Sequence, residues 1–324
     1  MTGAVETMAY KNEVPWHGQG YDGRFEPDWT PKVMLKKAGI DWTVSKRKLF
    51  LEDGRQVPHK FALCRDSDNA ILSTVGLKWK PMQNAKALDF FTKFCEAGHM
   101  TMETAGSLWG GRYVWGLARV GNDFKLGKTE DEVRSYLLIY VPHVVGKAWG
   151  IQFTDICVVC WNTLTFALGA GLKGDGTGFR VPHSIEFNDT VRNRAEEALG
   201  LAVNQQEEFR LAAQLLSKKR AKAEVVEEYF CEVLRFDPTK ADTKADGEIK
   251  EPRMLPKLRN ALVYAPGQQL SSRTGTWWGA LNAVTYVIDH EIGRDRSTAL
   301  RNAWLGGKAR TKRRALDLAL AKAA

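Results

Sequence analysis

Residues 103–120 read ETAGSLWGGRYVWGLARV, two runs rich in apolar and β-favouring residues that meet at Gly110-Gly111. Two adjacent glycines supply the positive φ angles that a tight hairpin turn demands, so the flanking runs are predicted to be its strands. Strand patterning continues on either side. Upstream, WTVSKRKLFL (42–51), VPHKFALCR (57–65) and AILSTVGLKWK (70–80) are separated by turn residues at Asp53-Gly54 and at Asp66–Asn69, which predicts a three-stranded antiparallel meander. Downstream, SYLLIYVPH (135–143) and AWGIQFTDICVVCWNTLTFAL (148–168) are long apolar runs, the second entering a short helix or turn near Asn162.

One helix interrupts these strands. Ala87, Leu88, Phe91, Phe94 and Cys95 recur at helical spacing over residues 84–97, with Asn84 as the expected cap and Gly98 as the stop. Residues 1–41 carry Pro15, Gly18, Gly20, Gly23, Pro27 and Pro31 and are predicted to be irregular, apart from a short helix from Pro31 to Ala38 capped by Thr30.

Beyond the loop GAGLKGDGTGF (169–179) the composition turns to helix formers. A helix is predicted from Asn188 or Asp189 to about Leu216, with Val191, Ala195, Ala198, Ala202, Gln206, Phe209, Ala213 and Leu216 along one stripe. A second helix runs over about 221–234, a polar and mobile connection over 237–256, a further helix over TWWGALNAVTYVIDH (276–290), and two short helices close the chain. The fold class is therefore α+β. Its expected parts are an irregular segment at 1–41, an antiparallel sheet domain at 42–187 and a helical region at 188–324.

Composition sets the functional class. With 44% apolar and 26% charged residues in 324, the chain has the makeup of a folded globular protein, not of a disordered or fibrous one. No apolar run is long enough to span a bilayer, and the N-terminus lacks the basic-then-apolar pattern of a secretory signal, so the expected location is the host cell cytoplasm, with no membrane partner. The net charge is +9, and it is unevenly placed: between Arg294 and Lys322 nine basic residues stand against two acidic ones. Clustered Lys and Arg attract polyanions by releasing the counterions condensed on phosphates.

Cations also stand beside aromatics at Lys78-Trp79-Lys80, at Trp109 and Arg112 around the glycine turn, and at Arg273 before Trp277-Trp278. Single-stranded nucleic acid is bound by such mixtures, its bases stacking on rings while Lys and Arg follow the backbone. The expected nucleic-acid contacts are Lys78, Trp79, Lys80, Trp109, Arg112, Arg310, Lys312, Arg313 and Arg314. Catalytic and metal-binding motifs are weaker. Cys157 and Cys160 form a Cys-x-x-Cys pair in apolar surroundings without a second ligand pair, and the six histidines are dispersed, so both cysteines are expected in a core. The glycine loop at 169–178 carries Lys173 but lacks the Gly-Lys-Ser/Thr of a phosphate-cradling loop. No cofactor is expected.

The same stretches carry a likeness to known sequences. ETMAYKNEVPWHGQG (6–20), VGLKWKPMQN (75–84), residues 103–120, FTDICVVCWNTL (153–164), TWWGALNAVTYVIDH and AWLGGKARTKRRALDLAL (303–320) resemble, in order, the blocks of the phage/plasmid-like family of bacteriophage and mobile-element proteins, a domain of unknown function. Trp79 stands where that family usually has tyrosine, and VPHVVGKAWGIQF (141–153) replaces a more polar turn. The resemblance implies a setting among phage recombination functions, and the layout is compatible with a Rad52-like annealing fold. The leading expectation is thus a non-catalytic single-stranded DNA-binding protein that promotes annealing or recombination as a homo-oligomeric ring or filament. Alternatives are a virion or scaffold component, and a nucleic-acid-processing enzyme using Glu103, Asp155 and Asp289.

Overall fold

A computed structural model of the chain describes residues 5–12, 20–121, 123–128, 131–157, 179–243, 248–292 and 307–324. Gly110 and Gly111 take φ of 65° and 81°, joining β6 (Thr101–Leu108) to β7 (Tyr113–Arg119) in a hairpin registered from Leu108 opposite Tyr113 to Thr101 opposite Arg119. β7 pairs on its other side with β9 (Glu132–Pro142), antiparallel. Next come β10 (Ala148–Cys157) and β11 (Phe179–Pro182).

On the opposite flank β6 pairs with β1 (Val5–Tyr10), and β1 pairs in parallel with the short β2 (Tyr21–Asp22). With β8 (Phe124–Lys125) adjoining β9, these strands form an eight-stranded sheet among the described residues. The expectation of an irregular start is corrected here: Val5–Tyr10 is a strand of the main sheet, because Thr7–Tyr10 find partners in Thr104–Ser107, nearly one hundred residues away.

The predicted meander is present as a second sheet of β3 (Val44–Phe50), β4 (Gln56–Arg65) and β5 (Ile71–Gly76). Its strands bury Val44, Leu63, Leu72 and Val75 with Trp79. α1 (Pro31–Lys37) starts as the sequence requires, with the Thr30 side chain accepting from the Val33 amide.

The single helix expected over 84–97 is two: α2 (Asn84–Asp89) and α3 (Thr92–Glu96). The break at Phe90-Phe91 lets two consecutive rings enter the core, with centroids 6.2 Å apart and edge to face. Asn84 does not cap. Its amide is buried and donates to the carbonyls of Ile40 and Trp42.

The rest of the described chain is helical: α4 (Asp189–Lys218), α5 (Ala223–Leu234), α6 (Leu255–Tyr264), α7 (Trp277–Tyr286) and α8 (Gly307–Ala323). Where two short helices were expected at the end of the chain, the described residues hold the 17-residue α8. In the polar connection, Asp237 accepts from the Thr239 amide and Thr243 bridges Ile249.

Two compact units result, and the chain crosses between them repeatedly. One takes Met1–Gly121, Tyr136–Phe153 and Leu168–Ala202; the other takes Asn122–Ser135, Thr154–Ala167 and Val203–Ala324. The first has its core between the main sheet and the helices α1, α2 and the start of α4, where Leu88, Phe91, Ala105, Val114, Ile139, Trp149 and Ala195 are buried. In the second, α7 is buried along nearly its whole length and packs on α6 and α8, while α5 also packs on α8. Among the described residues, no helix is long and apolar enough to cross a membrane.

Candidate functional site

Lys78, Trp79 and Lys80 follow β5 through a turn that the Trp79 amide closes by donating to the Gly76 carbonyl at 3.2 Å. The two lysines are exposed and the indole between them goes inward, only 8% exposed. Trp79 stacks on the His183 ring at 4.1 Å. The Lys80 amide donates to the His183 carbonyl at 2.5 Å, and the His183 Nδ1 lies 3.1 Å from the Lys80 carbonyl. The Lys80 ammonium sits 3.4 Å from Glu186. The expectation that Trp79 offers its ring to bases is therefore revised: both the small-sheet core and His183 already cover it.

The glycine turn lies beside a second histidine. Trp109 is half-buried, in left-handed backbone at φ 56°, and stands edge-on to Tyr113 at 5.2 Å. Arg112 is exposed, and its carbonyl accepts from the His143 amide at 2.8 Å. The His143 ring is fully buried, with Nε2 2.8 Å from the Asn84 side-chain oxygen and Trp42 at 5.5 Å. Trp42 in turn carries the Arg65 guanidinium over its face, and Arg65 pairs with Asp68.

Burial, and secondarily the nearby His183, holds the His143 imidazole down at about 3, so its ring is neutral at pH 7, and burial lowers His183 too. Contacts running from Lys80 through His183 and His143 to Arg112 thus tie the two predicted clusters of the first unit together. Lys78, Lys80 and Arg112 are its outward cations there.

Of the four expected contacts in the basic C-terminal tract, one is buried and two are partly covered. Lys312 has no exposure and pairs with Asp289 at 2.5 Å, on the π-helical turn Val287–Glu291 that follows α7. Arg313 pairs with Asp317 one turn along α8, and Arg314 donates to the Val233 carbonyl of α5. Arg310 is the most exposed of the four expected contacts. Helix periodicity explains this: α8 packs against both α5 and α7, so some of its consecutive cations must face them. Lys312 cannot reach a ligand, Arg314 is engaged with α5, and Arg313 keeps a partly exposed pair on the surface of α8. Arg273, Trp277 and Trp278 are likewise buried.

Sequence reasoning missed the centre of the second unit. Asp131 accepts from Arg273 Nε at 2.8 Å and Nη2 at 2.5 Å, from the Ser272 hydroxyl at 2.8 Å and from the Trp278 indole at 2.9 Å, with neither charged side chain exposed. Burial pushes its carboxyl up most, yet the Arg273 guanidinium with Ser272 and Trp278 outweighs this and holds it below the usual carboxylate range. Nothing in TEDEVRS separates Asp131 from Glu130 or Glu132. Its burial is set by partners more than 140 residues later.

The acids named for an enzyme do not converge in the described structure. Glu103 accepts from Asn12 in the first unit, Asp289 holds Lys312 in the second, and the Asp155 side chain lies outside what is described. Among the described residues no three His, Cys, Asp or Glu side chains are disposed to hold a metal ion. Cys160, the Cys157 side chain and the glycine loop at 169–178 also lie outside the described residues.

Two antiparallel-rich sheets in front of a helical C-terminal region define an α+β protein. The sequence carries the assignment one step further. The chain belongs to the family described as Domain of unknown function (DUF932), which matches residues 71–322, from the start of β5 to the last turn of α8. No curated protein and no solved structure matches it.

Proposed function

We propose that this protein binds single-stranded DNA without catalysing its breakdown and promotes annealing or recombination. The observation that carries the reading is the set of exposed cations Lys78, Lys80 and Arg112, beside a buried tryptophan and two buried histidines in one unit. Exposed cations grouped in this way can follow a phosphate backbone. Base stacking is a smaller part of the reading than the sequence suggests, since Trp109 is the one half-exposed ring of the set. A phage or mobile-element origin, a Rad52-like annealing architecture and a ring or filament assembly belong to the same proposal and rest on the resemblance of the sequence blocks.

The test is a salt titration of the full chain against labelled single and double strands. Replacing Lys78, Lys80 and Arg112 together by Gln should lower the slope of log affinity against log salt by about 2, at about 0.7 per lost phosphate contact on single strands. Substituting Arg314 by Gln should leave that slope unchanged, because its guanidinium already serves the Val233 carbonyl of α5. Absence of binding by the unaltered protein at low salt would sink the proposal.

A further inference from the structure

A cleft of about 420 Å³ opens in the second unit between the end of β8, the last turn of α4 and the loop before α7. This is within the range of small-ligand sites. Among the described residues its lining holds two lysines, Lys125 and Lys218, both exposed, and no carboxylate. Neither lysine has an ion-pair partner among the described residues. Among the described residues the lining has no aromatic ring and one aliphatic side chain, Leu126, which suits neither a stacked base nor an apolar ligand.

A donor inventory narrows the ligand further. The Ser217 hydroxyl donates to the Gln214 carbonyl at 2.9 Å, and the Ser272 hydroxyl is committed to Asp131. Left to donate into the cleft are the two ammonium groups, the Gln214 amide and the Ser271 hydroxyl, a set that matches a multiply charged oxyanion.

The walls are also fixed to one another. Asp131 accepts from the Leu126 amide at 3.1 Å through its backbone carbonyl and from Ser272 through its carboxylate, so one residue joins the β8 wall to the loop wall. Arg273 pairs with that carboxylate, so the charge of Asp131 is compensated.

We infer that this cleft is a phosphate-binding site, with Lys125 and Lys218 as its charged contacts and Ser271 and Gln214 as its neutral ones. The phosphate comes either from a free pyrophosphate or nucleotide or from the backbone of a bound strand, and the inference does not require the strand-binding proposal to hold. The test uses the full chain and three probes: inorganic pyrophosphate, a nucleoside triphosphate and a labelled 20-nucleotide single strand.

Lys125→Gln combined with Lys218→Gln should weaken the probe that binds by at least about tenfold, since two charge-assisted contacts are lost. Ser271→Asp, which puts a carboxylate into the cleft at an exposed position, should act in the same direction. Circular dichroism should be unchanged in both variants.

Loss of pyrophosphate or nucleotide binding in the variants identifies a free phosphate ligand, whether or not strands bind. Silence of both small probes, with weaker strand binding in the variants, identifies the strand backbone. If the unaltered protein binds none of the three, or the variants bind all of them as well as it does, the site is refuted.

Discussion

Asp131 receives hydrogen bonds from a guanidinium, an indole and a hydroxyl at zero exposure, so its charge is matched where water cannot reach it. Removing one member of a buried pair strands the other, at a cost of about 3–5 kcal/mol, whereas removing both is often nearly neutral. Asp131→Asn should therefore lower stability by about that amount in urea unfolding, and Asp131→Leu with Arg273→Met should recover most of it.

The histidines give a second outcome at this scale. His143 titrates near 6.5 when unfolded and at about 3 when folded, so below pH 6.5 the unfolded chain takes up a proton that the folded one refuses. Its contribution is complete above that pH and is lost on acidification, at up to about 1.4 kcal/mol per pH unit. Equilibrium unfolding between pH 7 and 5 should show this slope, reduced in His143→Gln, with His183 supplying a remainder of the same sign. None of these residues announces its burial in the sequence. Asp131 sits in a run of acids, and both histidines lie at the ends of strands in plain strand contexts.

Elements were more legible than residues, and the hairpin shows why. Gly110-Gly111 specifies a turn by local chemistry alone, so β6 and β7 follow from fewer than twenty residues. Gly111→Ala tests that dependence. At φ 81° a side chain is strained, and its Cβ would lie 2.9 Å from the Arg65 guanidinium and 3.1 Å from the Trp42 ring. A loss of about 1–3 kcal/mol is expected, read as faster amide exchange across 101–119.

Where pairing or packing is non-local, the sequence was silent. β1 needs β6 to be recognised as a strand. The split between α2 and α3 needs the core that draws in both Phe90 and Phe91. In α8 the cationic run is plain to read, but which cation faces α5 or the turn after α7 is decided by tertiary packing, and that determines whether Lys312 is a contact or a core residue.

At the scale of the molecule, the sequence suggested a clean change from sheet to helix at residue 188, while the structure has the two units sharing the chain. Asn122–Ser135 leaves the sheet region to join the helical unit, and it delivers Asp131. A fragment of residues 203–324 is thus expected to be poorly folded, with Arg273 lacking its counter-charge. Adding a peptide of residues 122–135, or joining it covalently, should raise helicity and thermal stability, whereas a 122–135 peptide with Asp131→Asn should not. Circular dichroism of the fragment with each peptide makes the comparison.

The Asp131–Arg273 pair also sets a clock for biosynthesis. Its members are 142 residues apart. At about 5–20 residues per second, a ribosome makes the acid roughly 7–30 s before the base. Throughout that interval the nascent excursion holds a carboxylate that no partner has yet claimed, so the second unit closes only near the end of translation.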